Sequence, residues 1–262
     1  MPKFNDIDLK NWKESKIFTE SLWIISEREK YGKHNNFYHG NFIPQIPHQL
    51  ILRYTKENDL VLDPFVGGGT TAYECETLKR NFIGIEIQPE LAQKIQSNLD
   101  KTNRISKIFC GDSVKKETFE QINSFLTDKL HNKVQLAILH PPYADIIKFS
   151  SLENDLSNSK SLTNFLENFS LVIENTKNIM KKDGYLAIII GDKYSAGQLT
   201  PLGFYCMNEA QKLKMTLKSV VIKNIEGNRA KINKEAIWKY RALSSDYHLF
   251  KHEYIFIFKN QI

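Results

Sequence analysis

One stretch constrains this chain more than any other: "LVLDPFVGGGTTAYECETLKRNFIGIEI", residues 60–87. "LVLDPF" (60–65) has the apolar make-up of a buried strand, and "NFIGIEI" (81–87) has it again. Between them Gly67, Gly68 and Gly69 make a turn from which "TTAYECETLKR" (70–80) starts as a helix. Two strands joined through a crossover helix run parallel. Strands this apolar need cover on both faces, so the unit predicts a layered α/β domain.

The alternation continues. "PELAQKIQSNLDKT" (89–102) is a helix with Pro89 suited to its first turn. "ISKIFCGDS" ends a third strand, "VQLAIL" (134–139) is a fourth, and a helix covers much of 161–180. "GYLAIIIGD" (184–192), a helix over 202–214 and "LKSVVIK" (217–223) complete six strands. "HEYIFIFKN" (252–260) then follows without a long helix, which points to an antiparallel strand added at the end. With no internal repeat, low-complexity tract or Gly/Ser linker, the pattern reads as one domain over 37–262 with an N-terminal extension, 1–36.

Bulk properties narrow the function classes. Cys75, Cys110 and Cys206 are far apart and form no C-x-x-C pair, which argues against a cysteine-rich metal site and against a disulfide framework. No metal is expected. The charged start, "MPKFNDIDLKNWKESK", lacks the apolar run of a secretory signal, and no window approaches the ~18 apolar residues of a membrane span. The expectation is a cytoplasmic protein with no membrane partner. A net charge of +6 favours an anionic partner.

The glycine turn is a candidate cofactor site. Glycines let backbone approach a ligand closely, and a helix starting at Thr70 or Thr71 offers unpaired N–H groups. Glu86 ends the next strand nineteen residues after Gly67, where a carboxylate accepts hydrogen bonds from ribose hydroxyls. The spacing is not G-x-G-x-x-G and no Gly-Lys-Ser/Thr follows, so a nucleoside-like cofactor suits it better than a phosphate-rich one. Asp63, just before the turn, suits a cationic ammonium. Asp112 in "FCGDS" reads equally as an acceptor for an adenine amino group and as a helix cap.

A second feature is "LHPPY", where the fourth strand stops at His140, Pro141, Pro142 and Tyr143. Two prolines fix φ and push the residue before them into an extended conformation, so the strand leaves the sheet as a stiff corner.

Together these residues resemble the S-adenosylmethionine-dependent DNA methyltransferases that modify adenine N6 or cytosine N4. "LDPFVGGGTT" followed by "IGIE" resembles their cofactor motif. "HPPY" resembles their catalytic tetrad, which usually begins with Asp, Asn or Ser. "GNFIPQIPHQLILRYT" (40–55) is similar to the segment beside the methionine part of the cofactor. The resemblance implies a class I methyltransferase fold: a Rossmann-like, seven-stranded, mostly parallel, doubly wound sheet with an antiparallel last strand. It implies S-adenosyl-L-methionine as cofactor, held by Asp63, Phe65, Gly67, Gly69, Thr70, Glu86 and Asp112 with Gln45 and Pro47. Implied partners are DNA and, as a second candidate, a cognate restriction endonuclease, with the chain a monomer or homodimer in a restriction-modification or phage-defence system. An RNA amino-methyltransferase, a protein-glutamine methyltransferase and an inactive nucleic-acid-binding relative stay open as alternatives.

The tetrad's chemistry follows from its residue types. An exocyclic amino nitrogen is a poor nucleophile because its lone pair is delocalised into the ring. Accepting hydrogen bonds from its two N–H groups favours a pyramidal nitrogen, and the acceptors assigned are the Pro141 carbonyl and the His140 side chain, preorganised by the prolines. Tyr143 offers a face for stacking on a flipped base, worth ~1–3 kcal/mol. His140 departs from the family pattern: neutral imidazole has one accepting nitrogen, whereas imidazolium only donates. Turnover is therefore expected to fall as pH drops through its pKa. The alternative is that His140 only caps the strand. Because it is neither Asp, Asn nor Ser, the target base stays open.

Between Lys212 and Arg241 nine Lys/Arg face two acidic residues, Glu226 and Glu235. If the sixth strand is parallel to the first, the segment 225–251 projects to the cofactor side. Arg229, Lys231, Lys234, Lys239 and Arg241 are then candidate phosphate contacts, beside Trp238 and Tyr240. The alternative is a solvated basic face with Trp238 buried. The polar segment 144–161 is a candidate to close over the flipped base.

Overall fold

The computed structural model describes residues 4–34, 38, 40–129, 133–143, 150, 152, 154–195, 197–225 and 235–261. In chain order its elements are β1 (Leu22–Trp23), α1 (Gln45–Tyr54), β2 (Leu60–Asp63), α2 (Thr70–Thr77), β3 (Asn81–Glu86) and α3 (Pro89–Asn98). There follow β4 (Ser106–Cys110), α4 (Lys116–Asp128), β5 (Val134–Leu139), α5 (Leu162–Ile179) and β6 (Met180–Ile190). A hairpin, β7 (Lys193–Ser195) and β8 (Gln198–Thr200), precedes α6 (Leu202–Lys212), β9 (Thr216–Asn224), α7 (Glu235–Leu243) and β10 (His252–Lys259).

The main sheet has the order β1-β9-β10-β6-β5-β2-β3-β4. All its pairings are parallel except those of β10, which runs antiparallel to both β6 and β9. The expected class I methyltransferase fold is present, with one correction. The sheet has eight strands, because Leu22–Trp23 of the N-terminal extension pairs parallel to Ile222–Lys223 on the edge strand β9. Two residues are too few to show a period-2 pattern, and the pairing is sealed by the buried Trp23 ring and by Asn224, which bonds the Ile25 backbone in both directions.

Strand alternation divides the core. Leu60, Leu62, Ile83, Ile85, Leu186, Ile188, Ile190, Phe256 and Phe258 point to one face and meet Phe119 and Ile122 of α4, Phe165 and Phe169 of α5 and Cys206 of α6. Val61, Phe82, Leu136, Ile138, Ala187, Ile189 and Ile255 point to the other and meet α1, α2 and α3 through Leu50, Ile51, Ala72 and Ile95. The central strands β2, β3 and β5 are buried on both faces by these helices, whereas β4 and β9 toward the edges keep exposed positions. Among the described residues no helix is long and apolar enough to cross a membrane.

Chain order reverses between β2 and β5: β3 and β4 lie to one side, β6 and the later strands to the other. A crevice opens at the carboxyl ends of strands at such a switch point. The glycine turn follows β2 and the Pro-Pro corner follows β5, so the two motifs flank the same crevice.

Candidate active site

The turn after β2 is braced from below. Asp63 is buried and accepts from the Phe65 amide (2.8 Å) and the Thr71 hydroxyl (2.6 Å). Burial pushes its pKa up to about 6, against the pull of those two donors. Both oxygens of Asp63 are thus engaged within the turn and hold the start of α2 onto the strand end. Gly67 and Gly69 have φ of +49° and +83°, which L side chains rarely adopt. The Gly67 amide donates to Glu86 Oε2 (2.9 Å) and the Gln88 amide to Glu86 Oε1 (3.0 Å), tying the turn to the end of β3. Burial raises the Glu86 carboxyl to about 7, more than these amides lower it.

Asp112, at the end of β4, accepts from the Val114 amide (2.9 Å) with one oxygen and from Asn154 Nδ2 (3.0 Å) with the other. Asp112 caps the following turn, and its second oxygen is bonded by a polar side chain from the segment after the tetrad. That segment lies partly outside the described residues. Thr70 is the first residue of α2, and Phe65 packs against the core. Gln45 and Pro47 are buried in the first turn of α1, where the Gln45 amide is spent on the extension: Nε2 donates to the Glu27 carbonyl (2.7 Å) and Oε1 accepts from the Glu29 amide (3.4 Å).

The residues that join the two motifs are Tyr38, Asn41 and Phe42, in the run leading into α1. Asn41 and Phe42 fall in the segment 40–55 that resembles the methionine side of the cofactor site, although none of the three is a named candidate. Asn41 Oδ1 accepts from the Gly68 amide (3.0 Å), and a Cβ on Gly68 would stand 2.2 Å from Asn41 Nδ2. The Tyr38 ring lies where a Cβ on Gly67 would come within 3.0 Å. One residue further along, the Phe42 ring meets His140 edge-on, with centroids 5.0 Å apart. A five-residue run thus touches the glycine turn at one end and the tetrad at the other. For Tyr38 the sequence signal is the aromatic and amide content of "FYHGNF" before the helix; Asn41 and Phe42 share it and lie in the segment 40–55 as well.

The tetrad itself leaves β5 with Pro141 buried and His140, Pro142 and Tyr143 half-buried. His140 and Tyr143 are edge-on, 5.8 Å between centroids. Burial holds the His140 pKa below the ordinary histidine value; nearby Glu253 opposes this and Lys223 reinforces it. The neutral ring this favours is the form that can accept. Tyr143 donates its hydroxyl to Glu253 Oε2 (3.2 Å), and its ring packs close to Gly191 at the end of β6. Burial, then Glu253, push the phenol well above its ordinary value, so it stays a donor.

Of the basic candidates, Arg229, Lys231 and Lys234 lie outside the described residues. Lys239 and Arg241 are exposed on α7, which follows the carboxyl end of β9 as the topology argument requires. The Arg241 guanidinium lies 5.1 Å from the Trp238 ring centre, and Tyr240 is 73% exposed. Tyr194 of the β7–β8 hairpin stacks on Tyr247 (4.5 Å), joining the hairpin to the stretch after α7.

The model of the N6/N4 DNA methylase family, described as DNA methylase, matches residues 3–97 and 134–261. The chain belongs to the N6/N4 DNA methylase family. Among its relatives is the type II methyltransferase M.MjaII of Methanocaldococcus jannaschii, 26% identical over 256 residues, which are 83% of this chain and 46% of that protein. M2.LlaDCHI of Lactococcus lactis subsp. cremoris is 46% identical over 101 residues, 38% of this chain and 34% of that one. A tRNA (guanine(10)-N2)-dimethyltransferase of M. jannaschii is 27% identical over 136 residues, 50% of this chain and 38% of that one. The chain therefore spans less than half the length of these relatives. TrmN from Thermus thermophilus shares the fold at a TM-score of 0.53 and 12% identity, covering 85% of this chain and 50% of that one.

Membership in the family brings S-adenosylmethionine as cofactor. The residues present fit it. The turn keeps bare backbone at two left-handed glycines, and the donor set around it is carboxylate, amide and backbone. No Lys or Arg lies between Asp63 and Leu78, which suits a nucleoside bearing hydroxyls and an ammonium rather than a phosphate chain.

Proposed function

We propose that the protein methylates an exocyclic amino group of a base in DNA, adenine N6 or cytosine N4, after the base has been rotated out of the duplex. The observation that carries this reading is the bridge from Asn41 on Gly68 to Phe42 on His140, which keeps cofactor turn and tetrad at one crevice. The type II methyltransferases among the relatives support DNA as substrate and restriction-modification as the setting.

Bound S-adenosylmethionine supplies an electrophilic methyl on a sulfonium. The chain's residues do the rest. Glu86 accepts from the ribose hydroxyls and Asp112 from the adenine amino group, while the glycine turn keeps backbone close. The neutral ring of His140 and the carbonyl of Pro141 accept from the base's amino group and free its lone pair. Tyr143, anchored through its hydroxyl, holds the stacked base against rotation.

The deciding experiment incubates the protein with methyl-labelled S-adenosylmethionine and duplex DNA or tRNA, then digests each to nucleosides. Label in N6-methyldeoxyadenosine or N4-methyldeoxycytidine is the expected result. Label confined to tRNA would overturn the DNA reading in favour of the dimethyltransferase-like alternative, and label in neither would leave the tetrad without this role.

Two further outcomes are expected. Because burial raises Glu86 to about 7 and the carboxylate is the stronger acceptor for two hydroxyls, the KM for S-adenosylmethionine should climb as pH falls below about 7 and flatten above it. In Glu86→Gln the climb should vanish and KM should stay high; a wild-type KM constant from pH 6 to 8 would remove Glu86 from cofactor binding. If Lys239 and Arg241 contact phosphates, replacing both with alanine should weaken DNA binding on all sequences alike. The slope of log K against log salt should then flatten by roughly 2, at about 0.9 per contact. An unchanged slope places the phosphate contacts elsewhere.

A further inference from the structure

The carboxyl edge of the sheet carries a buried ion pair that the methyl-transfer scheme leaves unused. Lys223, near the end of β9, and Glu253, near the start of β10, are register partners. They are 6% and 7% exposed, and Lys223 Nζ lies 3.2 Å from Glu253 Oε1. Their strand neighbours on the same face, Val221 and Ile255, are apolar and buried. A second apolar pair here would fill the space without desolvating two charges, so packing alone does not account for them. What the pair adds is a directed acceptor: the second oxygen of Glu253 takes the Tyr143 hydroxyl.

We propose that Lys223 and Glu253 form a positioning pair for the tetrad, in which Glu253 fixes the Tyr143 ring and Lys223 cancels the charge that Glu253 would otherwise turn on His140. The inference rests on the reading of His140 as an acceptor. Among the described residues, the titratable groups facing His140 are Tyr143 on its own segment, Lys223 on β9 and Glu253 on β10. From the α1 side it meets the uncharged Phe42. Glu253 favours the protonated ring and Lys223 disfavours it. Removing one partner exposes His140 to the other, so the two deletions act in opposite directions.

The test compares full-length wild type, Lys223→Met and Glu253→Gln in pH profiles of methyl transfer at saturating DNA and cofactor. The acid limb should move up by about 1 pH unit in Lys223→Met and down by a similar amount in Glu253→Gln. Limbs that coincide, or move the same way, overturn the proposal. Tyr143→Phe and Glu253→Leu each remove the anchoring bond; each should lower kcat about 10-fold at unchanged KM for cofactor. The double variant should be no worse than either alone, and additive losses would sink the anchoring role. Should Lys223→Met fail to fold by circular dichroism, Tyr143→Phe and Glu253→Gln still decide. NMR titration of the His140 imidazole separates this idea from the proposed function. Opposite displacements in a protein that methylates no nucleic acid keep the pair and sink the function; coincident titrations in an active enzyme sink the pair alone.

Discussion

Replacing His140 with alanine is expected to cut kcat for methyl transfer about 100-fold, roughly 2.7 kcal/mol of transition-state stabilisation, with the KM for S-adenosylmethionine little changed. The size follows from the loss of one of two preorganised acceptors, the Pro141 carbonyl being retained. The split between kcat and KM follows from the contacts: the His140 ring packs against Phe42 and Tyr143, on the tetrad side of the crevice. His140→Asn restores a neutral acceptor and should recover activity to within about 10-fold of wild type. The pH dependence separates the variants. Burial lowers the wild-type histidine below its ordinary pKa, so turnover should hold through neutrality and fall only in mildly acidic solution, where the ring gains a proton. The asparagine variant has nothing to titrate at that position, and its acid limb from this group should be gone. A His140→Ala enzyme within twofold of wild type would leave the histidine as a strand cap.

This outcome depends on something the residue types alone do not carry. That "HPPY" ends a buried strand in a stiff corner is legible, because two prolines after an apolar run have few other arrangements. That the neutral ring is favoured is a tertiary property: burial favours it, with Phe42 against the ring, and the nearby charges are Lys223 and Glu253, 83 and 113 residues further along the chain. The same division runs through the fold. Parallel strands such as "VQLAIL" and "YLAIII" announce themselves because both faces are covered. Helix α1 does not, because Pro44 and Pro47 read as breakers, although Pro47 lies in the first turn where a missing N–H costs nothing. The Lys223–Glu253 pair is invisible one strand at a time: each is a lone charge at a strand end until register sets them side by side.

The N-terminal extension shows the largest gap between pattern and structure, and it leads to the second large effect. Glu74 on α2 is fully buried, in a sequence position that reads as one polar residue of a surface helix. Its Oε1 takes the Tyr31 hydroxyl and His34 Nε2, each at 2.5 Å, and its Oε2 meets His48 Nδ1 at 2.8 Å. One carboxylate thereby ties the extension and α1 to the helix that springs from the glycine turn. Burial would raise its pKa, but the bonds from His34, His48 and Tyr31 outweigh it and hold the group below the ordinary glutamate value. Glu74→Ala leaves the buried His34 side chain, with the part-exposed Tyr31 and His48, facing a cavity, and should destabilise the protein by about 3–5 kcal/mol. The melting temperature should fall by roughly 10 °C, at about 2–4 °C per kcal/mol for a chain of this size. Glu74→Gln, which keeps the shape and one acceptor, should lose less. Because the folded pKa is depressed, the stabilisation is present above the unfolded glutamate value and fades as pH drops through the folded one. The gap between wild type and Glu74→Ala should therefore be full at pH 7 and shrink only below about pH 4.5. Proteolysis should show where the damage lies, with cleavage before residue 40 rising in Glu74→Ala at temperatures where the sheet is still folded. Equal melting temperatures for the two proteins would reduce the hub to an accident of packing and would free the extension from any part in holding the cofactor turn.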